Sequence, residues 1–318
     1  MTIREWAENY LLLNGYTISS PAIDVRTTPW SQVMRFKTSK GTIYLKQIPE
    51  ALSLEPTIMQ ILHDQFHAQV PIVLATSKEF SCFLMTSHGI PLRDFFKEGF
   101  QPDLLATGLK IYTFIQDKTS KHLDSFFTLG VPDWRLDKLP SLYKTFINEN
   151  ADLLTEDGIT PDELSRLNKL YPVCASLCER LANYQIPQTL DHCDFHDNNI
   201  LIEPHTNTMT IIDWGESVIT HPFFSAITCL QNVVSHYAIK ETDAIYLQLR
   251  NTCFEPWLAL QPSNHLIEVF SLTKQLWPLY TTFSEYRLRV GTNSEAFQLL
   301  HRQGRLTRGL RAFIQSVL

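Results

Sequence analysis

No stretch of this 318-residue chain approaches the ~20 consecutive apolar residues that a membrane-spanning helix requires, so no membrane partner is expected. Glycine is scarce, with 11 in all, and nowhere are glycines spaced as G-x-G-x-x-G, which removes the usual mark of a glycine-rich phosphate loop. The six cysteines, Cys82, Cys174, Cys178, Cys193, Cys229 and Cys253, show no C-x-x-C spacing and sit in apolar stretches. That pattern fits reduced core thiols in a cytosolic protein and not a disulfide framework. Basic charge is not in excess: 27 Lys and Arg stand against 33 Asp and Glu, a net charge of −6, which excludes a nucleic-acid binder relying on a basic face and suits a cationic small substrate. Residues 1–9, Met-Thr-Ile-Arg-Glu-Trp-Ala-Glu-Asn, are polar and acidic where a secretory leader would be apolar, and the expectation is a cytoplasmic protein. There is no internal repeat and no low-complexity linker.

What is present is concentrated between Leu190 and Gly215. Asp194 is followed five residues later by Asn199, and Asp213 closes the segment after two short apolar runs, Ile200-Leu201-Ile202 and Met209-Thr210-Ile211-Ile212. The polar stretch 203–208 between them predicts a loop, a strand, a turn and a returning strand, which brings Asp213 back beside Asn199. Kinase chemistry needs a base for the acceptor hydroxyl, and an Asn and an Asp to hold Mg²⁺ against nucleotide phosphates; Asp194, Asn199 and Asp213 fill those roles in chain order. Two plainer readings compete. Asp and Asn favour turns for local reasons. His192, Asp194, His196 and Asp197 could also ligate a hydrolytic metal, although no second His-rich cluster accompanies them. Cys193, inside the motif, has no compelling His–Asn pairing that would make it a nucleophile.

His192-x-Asp194-x-x-x-x-Asn199 followed by Ile212-Asp213-Trp214-Gly215 resembles the aminoglycoside phosphotransferase and choline kinase family of small-molecule kinases. The resemblance implies an α+β, bilobal, protein-kinase-like fold: a small antiparallel-sheet N-lobe with one main helix, and a larger, mostly helical C-lobe. It implies ATP or GTP as phosphate donor, Mg²⁺, and a hydroxylated small molecule as acceptor. Upstream, two alternating apolar stretches joined by Thr38-Ser39-Lys40-Gly41 predict a hairpin whose second strand ends at Lys46. Ser53-Leu54-Glu55-Pro56 then opens a helix, with Ser53 as N-cap and Glu55 in the first turn. The resemblance pairs Glu55 with Lys46 and aims the lysine at the α/β-phosphates. In place of the missing glycines the loop reads Thr27-Thr28-Pro29-Trp30-Ser31-Gln32, and backbone amides with the Ser31 hydroxyl are expected to approach the phosphates. The strand 80–85 running into Thr86-Ser87-His88-Gly89 resembles the hinge, where backbone groups of Met85 to Ser87 would face the base, with Ile212 also beside the nucleotide.

The Gly89 to Pro91 break divides the chain into a nucleotide-gripping lobe, 1–89, and a catalytic and substrate-binding lobe, 90–318. Beyond it the pattern predicts helices over 101–116, from a Thr160-Pro161-Asp162-Glu163 capping box to about 183, and over 223–237, 243–258, 264–286 and 294–317. Trp257, Trp277, Tyr280, Phe283 and Tyr286, with Asp243, Glu255, Glu268 and Glu285, are candidates for a wall against an amine-bearing substrate. Arg302, Arg305, Arg308 and Arg311 recur every third residue and form one helical stripe, read as a solvated or salt-bridged face. A protein kinase is disfavoured by the missing glycine loop and A-P-E segment. A silent nucleotide-binding module is disfavoured by the intact Lys46, Asp194, Asn199 and Asp213.

Overall fold

A computed structural model describes residues 1–86, 89–292 and 302–317. By compactness the chain divides into two units. One comprises Met1–Gly99, the segment Asp197–Gly215 and a short stretch from Leu288 onward; the other comprises Phe100–His196, Glu216–Arg287 and the C-terminal segment.

The first unit is built on a five-stranded antiparallel sheet of order β1-β2-β3-β5-β4, with β1 (Ile23–Thr28), β2 (Ser31–Thr38), β3 (Gly41–Gln47), β4 (Val73–Ser77) and β5 (Cys82–Thr86). Alternation gives the sheet two different faces. Met34, Phe36, Ile43, Leu45, Cys82 and Leu84 are buried together on one face and pack against Ala7 and Leu11 of α1 (Ile3–Leu13). A capping box starts that helix: Glu5 N–H donates to the Thr2 hydroxyl (3.2 Å) and Thr2 N–H to the Glu5 carboxylate (2.7 Å). Val33, Tyr44, Lys46 and Met85 belong to the opposite face, since they oppose one another in register and alternate with the α1-facing residues.

α2 (Glu55–Phe66) follows β3, but Ser53 does not cap it. A 3-10 turn over Glu50–Leu52 precedes the helix, and Ser53 ends that turn with its N–H donated to the Glu50 carbonyl (3.0 Å). Leu54 becomes the N-cap, without a side-chain bond, and Pro56 is the second helical residue, where its missing N–H has no intrahelical partner to lose. The expected hairpin is present as β8 (Ile200–Ile202) and β9 (Met209–Ile211), extended on the other side by β6 (Ile90–Pro91). Ile211 N–H donates to the Gln69 carbonyl (2.9 Å), which ties β9 to the end of α2. Gly89, entering β6, has φ 94°, and a Cβ there would collide with the Ile202 carbonyl, so the position admits only glycine.

In the second unit β7 (Thr189–Asp191) pairs antiparallel with β10 (Val218–Thr220), and helices supply the rest. The helix expected from Thr160 to about 183 is two helices, Pro161–Lys169 and Tyr171–Ala182. Pro172 explains the break, because its ring clashes with the carbonyl four residues earlier and it has no N–H to continue the ladder. The Thr160 capping box itself is formed, with Glu163 N–H donating to Thr160 Oγ1 (3.2 Å). The last helix is Arg305–Ser316; the expected stretch 294–301 lies outside the described residues. Gly304, at φ 79°, starts it, and the buried Asp157 carboxylate accepts the Gly304 (3.0 Å) and Thr307 (2.9 Å) amides in the manner of a cap. Of the arginine stripe, Arg302 and Arg305 reach Glu285, and Arg311 reaches Glu163 at 2.6 Å. The proposed aromatic wall is mostly core: Trp257, Tyr280 and Phe283 are all buried. Among the described residues no helix is long and apolar enough to cross a membrane.

Candidate active site

Lys46 is the last but one residue of β3, and register opposes it to Val33 on β2 and Phe83 on β5, so it projects from the centre of the sheet. Its ammonium donates to both carboxylate oxygens of Glu55 (2.7 and 2.8 Å) and to Asp213 Oδ1 (2.5 Å). Burial opposes the Lys46 charge, but Asp213 and Glu55 outweigh it and hold the pKa above the ordinary lysine value. Burial pushes the Glu55 carboxyl up to about 7, against the pull of Lys46. The three charges differ in exposure: Lys46 and Glu55 are enclosed, whereas the Asp213 side chain is 41% exposed.

Asp213 reaches this position because Ile212 N–H donates to the Asn199 carbonyl (3.0 Å), which extends the β8–β9 pairing by one step. Its backbone then turns into the left-handed region, φ 71°, a conformation that Asp tolerates better than most residues. Gly215 completes the bend, since a Cβ there would stand 3.1 Å from Glu55 Oε2 and press on the Lys46 pair. Trp214 anchors the turn from inside, donating its indole N–H to the Ile211 carbonyl (3.0 Å).

A cavity of about 240 Å³ opens on these groups, and Ser31, Lys46, Glu55, Met85, Asn199, Ile212 and Asp213 all line it. The sequence-derived nucleotide and metal residues are thus brought together, apart from Ser87, which lies outside the described residues. Two of them contribute differently from expectation. Ser31 N–H is donated to Thr28 Oγ1 (3.0 Å) and its hydroxyl is hydrogen-bonded to the Thr28 hydroxyl (3.1 Å), so the turn consumes the groups expected to meet phosphate. Met85 is paired on both sides, opposite Tyr44 and Val73, and the Thr86 amide is donated to the Ile72 carbonyl (2.9 Å). Val25 and Arg26 of β1 line the same cavity and escaped the sequence reading.

Asp194 belongs to the second unit, on the loop after β7. Its carboxylate is half exposed, and His196 Nε2 lies 3.3 Å from Asp194 Oδ1. The loop is held by Asp191, a fully buried carboxylate that the sequence reading passed over. Asp191 accepts from the hydroxyls of Tyr112 (3.1 Å), Ser225 (2.6 Å) and Tyr280, and from the amides of Ser225 (3.3 Å) and Cys193 (3.1 Å). The last of these bonds sets Cys193 in the left-handed region at φ 68°, directly before Asp194. Burial, reinforced by the Asp191 charge, pushes the Cys193 thiol well above its ordinary pKa, which removes the thiolate a nucleophile would need.

Asp197, a member of the competing metal-ligand set, is buried in the first unit and accepts from Arg93 Nε (3.0 Å) and Nη2 (2.6 Å). Among the described residues no group of three or more His, Cys, Asp or Glu is placed to hold a metal ion. An amide oxygen and a carboxylate on one cavity wall, Asn199 and Asp213, are instead a sparse hard-oxygen pair that suits Mg²⁺ sharing its coordination with phosphate and water.

A central-strand lysine joined to a helix carboxylate and a hairpin carboxylate is an arrangement of the protein-kinase-like fold. Solved structures show the same fold. An ethanolamine kinase from Plasmodium vivax superposes with a TM-score of 0.59 at 15% identity, covering 98% of this chain and 85% of that one. A choline kinase from Streptococcus pneumoniae gives 0.59 at 14%, covering 98% of each chain. An aminoglycoside phosphotransferase from Streptomyces rimosus, in complex with ADP and streptomycin, gives 0.52 at 14%, covering 87% of this chain and 99% of that one. No curated protein matches in sequence. The model of the phosphotransferase enzyme family matches residues 29–251, a span that holds Lys46, Glu55, Asp194, Asn199 and Asp213, and the chain belongs to that family.

Proposed function

We propose that this phosphotransferase moves the γ-phosphate of ATP or GTP, with Mg²⁺, to a hydroxyl of a small molecule that carries an amine. The observation that carries the reading is the Glu55–Lys46–Asp213 chain of ion pairs on the wall of a cavity that also holds Asn199. Residues 1–89 would grip the nucleotide, with Lys46 oriented by Glu55 toward the α/β-phosphates and Met85, Ser87 and Ile212 beside the base. Residues 90–318 would supply the rest. Asn199 and Asp213 would hold Mg²⁺, which when bound neutralises charge on the β- and γ-phosphates. Asp194 orients the acceptor hydroxyl and takes its proton as the phosphoryl group transfers, and His196 fixes the carboxylate that does so. Ser31 lines the same space through its turn. An amine-bearing acceptor agrees with the net charge of −6 and with the cationic nitrogen compounds named for the similar proteins, an ethanolamine kinase, a choline kinase and a phosphotransferase in complex with streptomycin. Six buried free thiols and a nucleotide donor favour a cytoplasmic location.

The test is nucleotide turnover by the purified chain, with and without chelator, against hydroxylated amines, sugars and protein substrates. Mg²⁺-dependent turnover with a small hydroxylated amine is expected. Turnover that needs a protein acceptor, or none with any acceptor, would overturn the reading.

A further inference from the structure

The bend that closes β1 and β2 gives little to a phosphate. Pro29 has no amide, the Ser31 amide and hydroxyl are engaged with Thr28, and the segment 27–32 holds no glycine to let a backbone approach closely. A nucleotide cavity of this kind still has to offset several negative charges on the donor, and Lys46 already shares its charge with two carboxylates.

β1 carries an irregularity that bears on this. Asp24 opposes Met34, whose side chain is buried on the α1 side of the sheet, and the Asp24 carboxylate lies 3.9 Å from Arg4 of α1. Regular alternation would send Arg26, two residues on, to the same side. Between Asp24 and Arg26 the register shifts: Val25 is an extra residue, and Arg26 opposes Val33, which in turn opposes Lys46. This β-bulge turns Arg26 to the cavity face, in one row with Val33 and Lys46 across three strands. Val25 and Arg26 both line the cavity with Lys46, Asn199 and Asp213. An ordinary edge-strand arginine would only shield the sheet edge and would not need the bulge to face inward.

We propose that Arg26 is a phosphate-binding residue, its guanidinium taking the polyphosphate of the donor in place of the amides of a glycine-rich loop. The proposal rests on the phosphotransferase reading of the same cavity. A guanidinium is suited to the task because its planar donors match phosphate oxygens two at a time. Arg26 and Lys46 would then approach the polyphosphate from different strands.

Full-length wild type, Arg26→Ala and Arg26→Lys are titrated calorimetrically with Mg²⁺ complexes of ATP and GTP, and with adenosine and guanosine. Melting curves serve as the folding control, since Arg26 is exposed. Arg26→Ala should bind whichever triphosphate the wild type prefers about 10- to 100-fold more weakly, the loss expected of a charge-assisted hydrogen-bonded pair, while nucleoside affinity is unchanged. Arg26→Lys should recover part of the loss, and the salt dependence of triphosphate binding should be shallower in Arg26→Ala. Equal triphosphate affinity in wild type and Arg26→Ala overturns the proposal and leaves the phosphotransferase reading intact. An equal loss for nucleoside and triphosphate also overturns it, because the arginine would then stack on the base. A wild type that binds neither triphosphate overturns both.

Discussion

At the scale of single residues, Lys46 and Asp194 make separable demands. Lys46→Ala leaves Glu55 buried without its countercharge, a defect that typically costs about 3–5 kcal/mol. Since burial already holds the Glu55 carboxyl up at about 7, the orphaned group can discharge itself by taking a proton, so the loss should be larger at pH 8 than at pH 6. Denaturant unfolding of both proteins at the two pH values checks this; a loss independent of pH would mean that Glu55 is not the group left behind. Asp194 is half exposed and Asn keeps nearly its shape, so Asp194→Asn should melt like wild type and keep its Mg²⁺-nucleotide affinity. Its transfer rate should fall by ~10²–10⁴, the usual worth of a positioned base, in single-turnover kinetics. A near-normal rate would sink the assignment. Both residues are legible in sequence because motif spacing carries them. Arg26 is not, because the face it occupies depends on one extra residue in β1, and an alternation count cannot see a bulge. Asp191 is hidden for another reason: its five donors come from four separate segments, and nothing local marks a carboxylate as buried.

Among the elements, the hairpins were easiest to foresee. Polar, turn-forming residues flank short apolar runs at 38–41 and 203–208, and both strand pairs form where those signals stand. Helix ends were harder. Thr2 and Glu5 spell a capping box as plainly as Thr160 and Glu163 do, but in a polar, acidic segment; the first helix it starts covers the rear of the sheet. The start of the last helix could not be read at all, since its cap comes from Asp157, 147 residues away from Gly304. Asp157→Ala should therefore destabilise that helix by about 1 kcal/mol, within the range for lost caps. Hydrogen exchange of the amides of residues 304–307 is the sensitive measure: they should lose protection first. Unchanged protection would show that the helix holds its first turn without the carboxylate.

For the molecule as a whole, acid tolerance is set by groups acting in opposite directions. His221 is buried, accepts the Phe223 amide at Nδ1 (3.3 Å), has no hydrogen-bond partner at Nε2, and burial lowers its pKa to about 3. A histidine depressed in the fold binds its proton more readily when unfolded, so its contribution is complete above about 6.5 and is lost as pH falls toward 3. Glu55, raised to about 7, works the other way: its share is complete below the ordinary carboxylate range and is lost as pH rises through 7. Between pH 7 and 4.5 the histidine alone should remove about 2–3 kcal/mol, so His221→Asn should show a markedly flatter fall in unfolding free energy over that interval. An unaltered slope would mean that another group governs acid unfolding. The two-unit kinase-like architecture was foreseeable from motif order, whereas the compactness that sets the hairpin 197–215 with the sheet emerges only from contacts distant in sequence. The cysteines offer a last consequence. All six are buried, Cys82 in the first unit and Cys174, Cys178, Cys193, Cys229 and Cys253 in the second. The native protein is therefore silent toward alkylating reagents, and in rising denaturant the label counts openings: modification at Cys82 alone times the loosening of the sheet, and modification at the other five times the helical unit, with no engineered probe in either.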